Sequence, residues 1–492
     1  LGDVYKRQQV EQGKLTVNGG SFALRQKWPG KHYLFNCIDD AYKENTANVE
    51  IYGGTFDDFD PNVAPEAAVD GKTPSFAAPG VGIEKNTDGT FTAKTGMVAQ
   101  VLDASGSSVK AFATLDEAFN AASRRQTVKL IADTTENVTM ATPYLTLDLN
   151  GHTLNGGQVK GTPALTVTAR IVTVKDSSEA QTGTIMRDDT AENSGVSSHY
   201  VIDVQDNGWL TFESGKVTNN SGVVGVKGAS LVRVGNDSVA RQPGLVINGG
   251  SFQQDNFIAI KVDRGYLTLN GGTITSKNSY AIENWFLTTI KGGTVNGTVA
   301  SWTYNGGSNS TTTITGGTIN GNVNSVNYGN AAGKTAKVTI SGGTVNGELD
   351  TRSYDPTTNE LTSIDDAAKA TIGVTGGTFS KNPTKYVVEG LTVKENEDGT
   401  YGVEKAPLEY LAKVGDTSYY TMDEAFQAAA TSGETLHLLR DYTTSAVQNS
   451  GSKSFTIDLG GHTWTYTGTA TNCAAFEVNH SNVTLTLSLI HI

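Results

Sequence analysis

The chain has 492 residues, 56 glycines but only 11 prolines, and a formal net charge of −13 at pH 7. That balance fits a soluble, turn-rich β protein and argues against nucleic acid and anionic membrane surfaces as partners; no apolar run reaches the ~18 residues that a membrane-spanning helix needs. The two cysteines, Cys37 and Cys473, fall in different repeats, so no disulfide framework is expected and both read as small buried apolar residues.

In chain order, residues 9–95 read as the C-terminal part of a repeat module. They hold Gly19-Gly20-Ser21-Phe22 and Gly53-Gly54-Thr55-Phe56, then a hairpin turn at Asp88-Gly89-Thr90-Phe91. Residues 96–406 read as a complete module that opens with a cap, 96–145. There Thr114 stands three residues before Glu117, a capping box that satisfies free amides at a helix start. Leu115, Ala118, Phe119 and Ala122 form an apolar stripe at helical spacing. The stripe predicts a helix of about three turns, lying as a lid over strand edges that would otherwise be unpaired.

Residues 146–380 are predicted to be the coils. Gly-Gly-Ser-Phe at 249–252 is followed by Gly-Gly-Thr and an apolar residue at 271, 292, 316, 342 and 376, so successive copies are 22, 21, 24, 26 and 34 residues apart. Short alternating runs such as Leu267-Thr268-Leu269 and Val338-Thr339-Ile340 precede the glycines and read as strands. The glycines read as a sharp turn, because Gly tolerates positive φ. A third strand follows, as in Phe257 to Val262 or Tyr280 to Glu283. Three short strands and three turns in ~22 residues describe one coil of a right-handed parallel β-helix, an all-β solenoid whose coils stack roughly 4.8 Å apart. No phosphate-loop pattern accompanies the glycines.

Residues 381–406 are predicted as a hairpin: Val388 to Lys394, a turn at Asp398-Gly399, then Thr400 to Val403. A new module then begins over 407–485. Thr421 to Phe426 repeats Thr114 to Phe119 at a distance of 307 residues, and Ile457 to Thr463 repeats Leu147 to Thr153 at 310. The chain is thus expected to be a tandem array of ~310-residue modules. His152 and His462 recur at equivalent places and read as turn residues bonding backbone. No second His, Cys or carboxylate stands at metal-ligand spacing beside either.

The order VAQVLD, TLDEAFNAA, TVKLIAD, LTLDLNGHTL, then Gly-Gly-Thr coils and a VVEGLTVKENEDGTYGV tail, resembles the pectin-lyase-like β-helix repeats of large surface proteins from anaerobic gut bacteria. The resemblance covers nearly the whole chain. It implies an extracellular, cell-surface protein acting as a stalk or adhesin, non-catalytic and without a cofactor, with secretion signal and anchor outside this fragment. Gly53 to Pro61 also resembles a phrase of phage-appendage β-helices, which keeps a tail-spike origin open. Residues 1–8 and 486–492 resemble translated sequencing-adapter read-through of the kind met in metagenomic assemblies, and are expected to be artefacts.

The same fold hosts polysaccharide lyases and hydrolases, so an enzyme of that type is the alternative. A polygalacturonase-type site needs Asn-Thr-Asp, Asp-Asp, Gly-His-Gly and Arg-Ile-Lys on neighbouring coils. Here Asn86-Thr87-Asp88 sits in the hairpin turn, Gly-His-Thr stands at 151–153 and 461–463, and Arg-Ile-Lys is absent. No catalytic residue and no metal site is therefore assigned. The best candidate surface is one strand column. Aligned by distance to the next Gly-Gly or its equivalent, Asp206, Asp263 and Asn284 fall on successive levels, with Lys261, Arg264, Glu283, Trp285, Trp302 and Tyr304 nearby. Asp206, Lys261, Asp263, Glu283, Trp285, Trp302 and Tyr304 are the candidate contacts for a host or bacterial glycan, through hydrogen bonds and ring stacking. The competing reading is a solvated face with charge ladders and partly buried aromatics.

Overall fold

The computed structural model describes residues 8–24, 33–64, 73–159, 161–188, 200–219, 230–236, 240–304, 307–329, 333–445, 448–449, 454–467, 476–477 and 482–486. Cys473 and nearly all of both terminal segments lie outside them. The chain divides into two units, Leu1–Glu404 and Lys405–Ile492. Among the described residues the protein is all-β, apart from a 3-10 turn at Thr384–Tyr386 and three short helices, α1 (Asp39–Lys43), α2 (Leu115–Ala121) and α3 (Met422–Ser432).

The first unit is dominated by parallel pairing between strands of successive rungs. One ladder runs Thr127–Leu130, Thr146–Asp148, Val172–Lys175, Trp209–Phe212, Gly244–Ile247, Tyr266–Leu269 and Leu287–Ile290. A second runs Thr134–Thr135, Thr153–Asn155, Thr184–Arg187, Lys216–Asn219 and Ser251–Gln254. A third runs Val138–Met140, Leu165–Val167, Ile202–Val204, Val232–Val234 and Ile260–Val262. Period-two alternation sends one set of side chains inward. Leu147, Val174, Phe212, Ile247, Leu269, Ile290, Ile314, Ile340 and Val374 stand in register on successive rungs. All nine are fully buried, each contributing about 1.5–3 kcal/mol of transfer free energy.

From Gly249 onward both glycines of each repeat are crowded by the rung beneath, a Cβ at Gly272 lying 2.7 Å from the Gly250 carbonyl oxygen, and the second is constrained by its backbone as well. The second has a positive φ, for example 80° at Gly272 and 78° at Gly293. The first does not. It is required by the rung beneath, since a Cβ at Gly292 would lie 2.2 Å from the Asn270 carbonyl oxygen, and one at Gly316 2.2 Å from that of Lys291. Beyond Thr273 the three separate strands expected of each coil fuse. Thr273–Asn284 and Thr294–Tyr304 run through the second bend, and Ser310–Ile319, Ala336–Val345 and Ala370–Phe379 run through the Gly-Gly-Thr itself. In the last three the glycines coincide with register shifts against the neighbouring rung, so the turn is taken up as a bulge in a continuous strand.

The heads and tails repeat in atomic detail. Thr114 Oγ1 accepts the Glu117 N–H at 3.2 Å, and Thr421 Oγ1 accepts the Glu424 N–H at 3.4 Å. The α2 helix is shorter than expected, seven residues against eleven in α3. Leu115, Ala118 and Phe119 of α2 belong to the core cluster of the rungs. In the tails, Val81–Lys85 pairs antiparallel with Phe91–Thr95. Asp88 Oδ1 accepts Thr90 N–H and Oγ1–H, and Asp398 Oδ1 accepts the same two groups of Thr400. Phe91 pairs with Phe56 of one Gly-Gly-Thr strand and Tyr401 with Phe379 of another. The second tail's strands are Leu391–Glu395 and Tyr401–Lys405; Val388 lies before the first and instead bonds the Val374 carbonyl.

Candidate functional site

The third ladder carries the chemistry. In-register pairing sets Asp203, Arg233, Lys261 and Glu283 side by side on four rungs. At a rung spacing of roughly 4.8 Å, neighbouring charges interact strongly. Arg233 forks onto Asp203, donating from Nε to Oδ1 at 3.0 Å and from Nη2 to Oδ2 at 2.6 Å, while its guanidinium lies 4.5 Å from the Tyr200 ring centroid. Lys261 is next to this like charge but pairs with Asp263 at 3.1 Å. Burial opposes the Lys261 charge, yet Asp263 and Glu283 outweigh it and hold the amine above its ordinary pKa. Glu283 is buried, and burial raises its carboxyl pKa; the Trp285 indole N–H, donating to Oε1 at 2.7 Å, and Lys261 pull the other way without cancelling the rise.

Two positions further along the same strands the outward residues become aromatic. Trp302, Val326 and Arg352 share one register line, and Tyr304, Tyr328 and Tyr354 the next. Trp285 stacks on Trp302 at 5.3 Å between centroids and Tyr328 on Tyr354 at 5.1 Å; Tyr304 meets Trp285 edge-on at 5.5 Å. Trp302, Ala300 and Val326 are buried at the centre of this satellite cluster, with Tyr280 and Leu361 packed against it. Burial and the Glu283 charge push the Tyr280 phenol up to about 12.

Beside the cluster lies a polar groove of about 430 Å³, lined by Asp263, Arg264, Trp285, Tyr304, Gly307, Ser308 and Lys334. Of the seven residues proposed from sequence, Asp263, Trp285 and Tyr304 line it directly. Lys261 reaches it through Asp263. Glu283 and Trp302 are buried beneath it, so they orient Trp285 instead of meeting a ligand. Asp206 is elsewhere, with Oδ1 accepting the Arg241 N–H at 2.7 Å.

The column inferred from distances to Gly-Gly is out of register. A whole rung, Val232–Val234, intervenes between those of Asp206 and Asp263. Asn284 points inward opposite Val262 and Ser301 and donates to Thr311 O and Thr312 Oγ1, both at 2.9 Å. The hydrogen bonds Trp285 N–H to Val262 O and Asp263 N–H to Val234 O put Trp285, not Asn284, beside Asp263. Sequence reasoning also missed Asp203 and Arg233. Arg233 stands within the run Leu231-Val232-Arg233-Val234, an alternating strand signal, but Gly249 follows Val234 by 15 residues where Gly271 follows Val262 by 9, so distance to Gly-Gly does not mark this position.

His152 and His462 occupy matching turns, their backbone N–H donated to Leu149 O and Leu459 O. Each ring also faces a carboxylate that the sequence reading did not single out: His152 Nδ1 is 3.4 Å from Asp133, and His462 Nδ1 is 3.6 Å from Asp441. The same two carboxylates accept the N–H of Thr153 and Thr463. Among the described residues no group of three or more His, Cys, Asp or Glu could hold a metal ion, and no helix is long and apolar enough to cross a membrane. Comparison with protein-family models, with curated proteins and with solved structures finds no match.

Proposed function

We propose that the chain is a segment of a tandem array of right-handed parallel β-helix modules, of pectin-lyase-like type, serving as a non-catalytic extracellular stalk or adhesin. Three parallel ladders with an unbroken inward column suit a stiff rod. Repeated heads and tails with matching hydrogen bonds suit an array, in which weak contacts multiply through avidity. The observation that carries the binding part is the groove. Asp263, Arg264 and Lys334 offer polar groups and Trp285 and Tyr304 offer aromatic rings, a mixture suited to a sugar. Most of the other rings in the cluster lie against one another, so the groove is the part of this face fitted to a glycan.

The test is binding of the purified chain to a panel of bacterial and host glycans. Lys334→Ala and Tyr304→Ala should weaken binding, and Asp206→Ala should leave it unchanged. Equal binding by all three variants would remove the groove from the account. Depolymerisation of a uronate-containing glycan, abolished by Asp263→Ala, would replace the stalk reading with an enzyme. A homotrimer in light scattering would favour a tail spike.

A further inference from the structure

We infer that the face of the head formed by Gln100, Ser108 and Ala111 is a receiving surface matched to one particular preceding tail, here supplied by residues 9–95. This stands on the junction's own geometry and does not depend on the glycan groove or on the stalk reading.

The apolar residues on the two sides of the junction do not merge. Those from Val17 to Ala93 form one cluster and those from Ala99 onward another. What joins them is polar and close. Gln100 is fully buried. Its Oε1 accepts the Ile83 N–H at 2.6 Å and its Nε2 donates to the Ile83 carbonyl at 2.6 Å. These are the two bonds an adjacent strand would make, so the side-chain amide stands in for a peptide group on the tail strand Val81–Lys85. On the other side, the Asp60 carboxylate accepts Ser108 N–H at 2.8 Å and Ser108 Oγ–H at 2.9 Å, and Asn62 Nδ2 donates to Ser108 Oγ at 2.9 Å. Gly80 N–H donates to Ile131 O at 2.9 Å. Between these bonds the backbones approach until no side chain fits: a Cβ on Gly82 would lie 2.2 Å from the Ala111 Cβ.

Burying an amide or carboxylate is costly unless its partners are supplied. A head carrying Gln100 is therefore disfavoured against any tail that lacks a free strand backbone with glycine beside it. The set is not a general property of these repeats. The residues at the corresponding positions of the following tail and head are Thr392, Lys413 and Ser418 in place of Gly82, Gln100 and Ala111. Neither a branched side chain nor a lysine reproduces the contact. The match thus discriminates between neighbours by misfit as well as by attraction.

The experiment is hydrogen exchange on the whole chain, read peptide by peptide. Gln100→Lys and Gly82→Ala should each speed exchange in 81–85 and 108–112 by on the order of tenfold or more, leaving 267–290 unchanged. Gly82→Ala combined with Ala111→Gly should return exchange in both segments part of the way to the original rate, because the second change removes the atom struck at 2.2 Å and leaves only the Met97 Cβ and Cγ contacts at 3.0 Å. Unaltered exchange at 81–85 in both single variants, equal loosening of every rung, or no rescue by Ala111→Gly would each overturn the inference.

Discussion

A glycine is required wherever some constraint would punish its replacement, and here two constraints act along one motif. Gly292 has no φ requirement, but its Cβ would strike the Asn270 carbonyl oxygen at 2.2 Å; Gly292→Ala should cost about 1–3 kcal/mol through overpacking. Gly293 sits at φ 78°, where an alanine is strained by about 1–2 kcal/mol, and its Cβ would also lie 2.8 Å from the Gly272 carbonyl oxygen, so Gly293→Ala should cost more than Gly292→Ala. Gly373 has neither problem: its Cβ would meet Val388 Cγ1 at 3.6 Å, so Gly373→Ala should be neutral or stabilise by about 0.4–1 kcal/mol through the unfolded chain. Urea midpoints of the three variants check that order. The turn itself was legible in the sequence; the collision was not, because its partner lies one rung away. Glu283 poses a second residue-scale question. Its carboxyl pKa is raised in the folded protein, so folding favours the protonated acid. The stabilisation linked to this proton is fully present below the ordinary value of 4.5 and is lost as pH rises through the elevated folded value. Glu283→Gln should therefore flatten that stretch of the melting-temperature profile; an identical profile in the variant would show that another group controls it.

At the scale of elements, the two head helices solve one problem differently. In α2 the Thr114 cap takes a single amide, and the Glu136 carboxylate, from beyond the next strand, accepts Leu115 N–H at 2.9 Å and Asp116 N–H at 3.0 Å. A seven-residue helix is too short to persist alone, so this tertiary cap matters. Thr114→Ala should cost about 1 kcal/mol. Glu136→Gln should cost more, about 1.5–3 kcal/mol, because it weakens two charge-assisted bonds and turns an N–H toward a donor; the reverse order in thermal melts would show that the local cap dominates. The helix position was legible from its stripe, but Glu136 gave no local signal. Strand register was lost for a related reason. Distance to a Gly-Gly pair locates a strand only where the intervening length is constant; Gly249 follows Val234 by 15 residues but Gly271 follows Val262 by 9, so the Val232–Val234 rung was passed over and Asp206 was assigned to a column it does not join. Trp285, Asp263 and Tyr304 were found because aromatic and charged side chains on strands flanking the motif remained within one rung of their true positions.

For the molecule as a whole, a stack in which each rung touches its neighbours spreads the effect of a substitution locally, and stability approximates a sum of rung and nearest-neighbour contributions. The break between Leu1–Glu404 and Lys405–Ile492 adds a boundary across which such effects should not pass. Each unit has its own apolar cluster: Ile290 is fully buried in the first, and Phe426 packs against Phe455 at 5.1 Å in the second. Ile290→Ala opens a cavity in the inward column and should cost about 2–5 kcal/mol, and Phe426→Ala about 3–5 kcal/mol. Scanning calorimetry of the whole chain should then resolve two transitions, with Ile290→Ala lowering one and Phe426→Ala the other. One transition, displaced as a single event by either substitution, would mean that the two units unfold together and that coupling crosses residues 404–405 as firmly as it crosses a rung. Two transitions would make each unit an independent cooperative block.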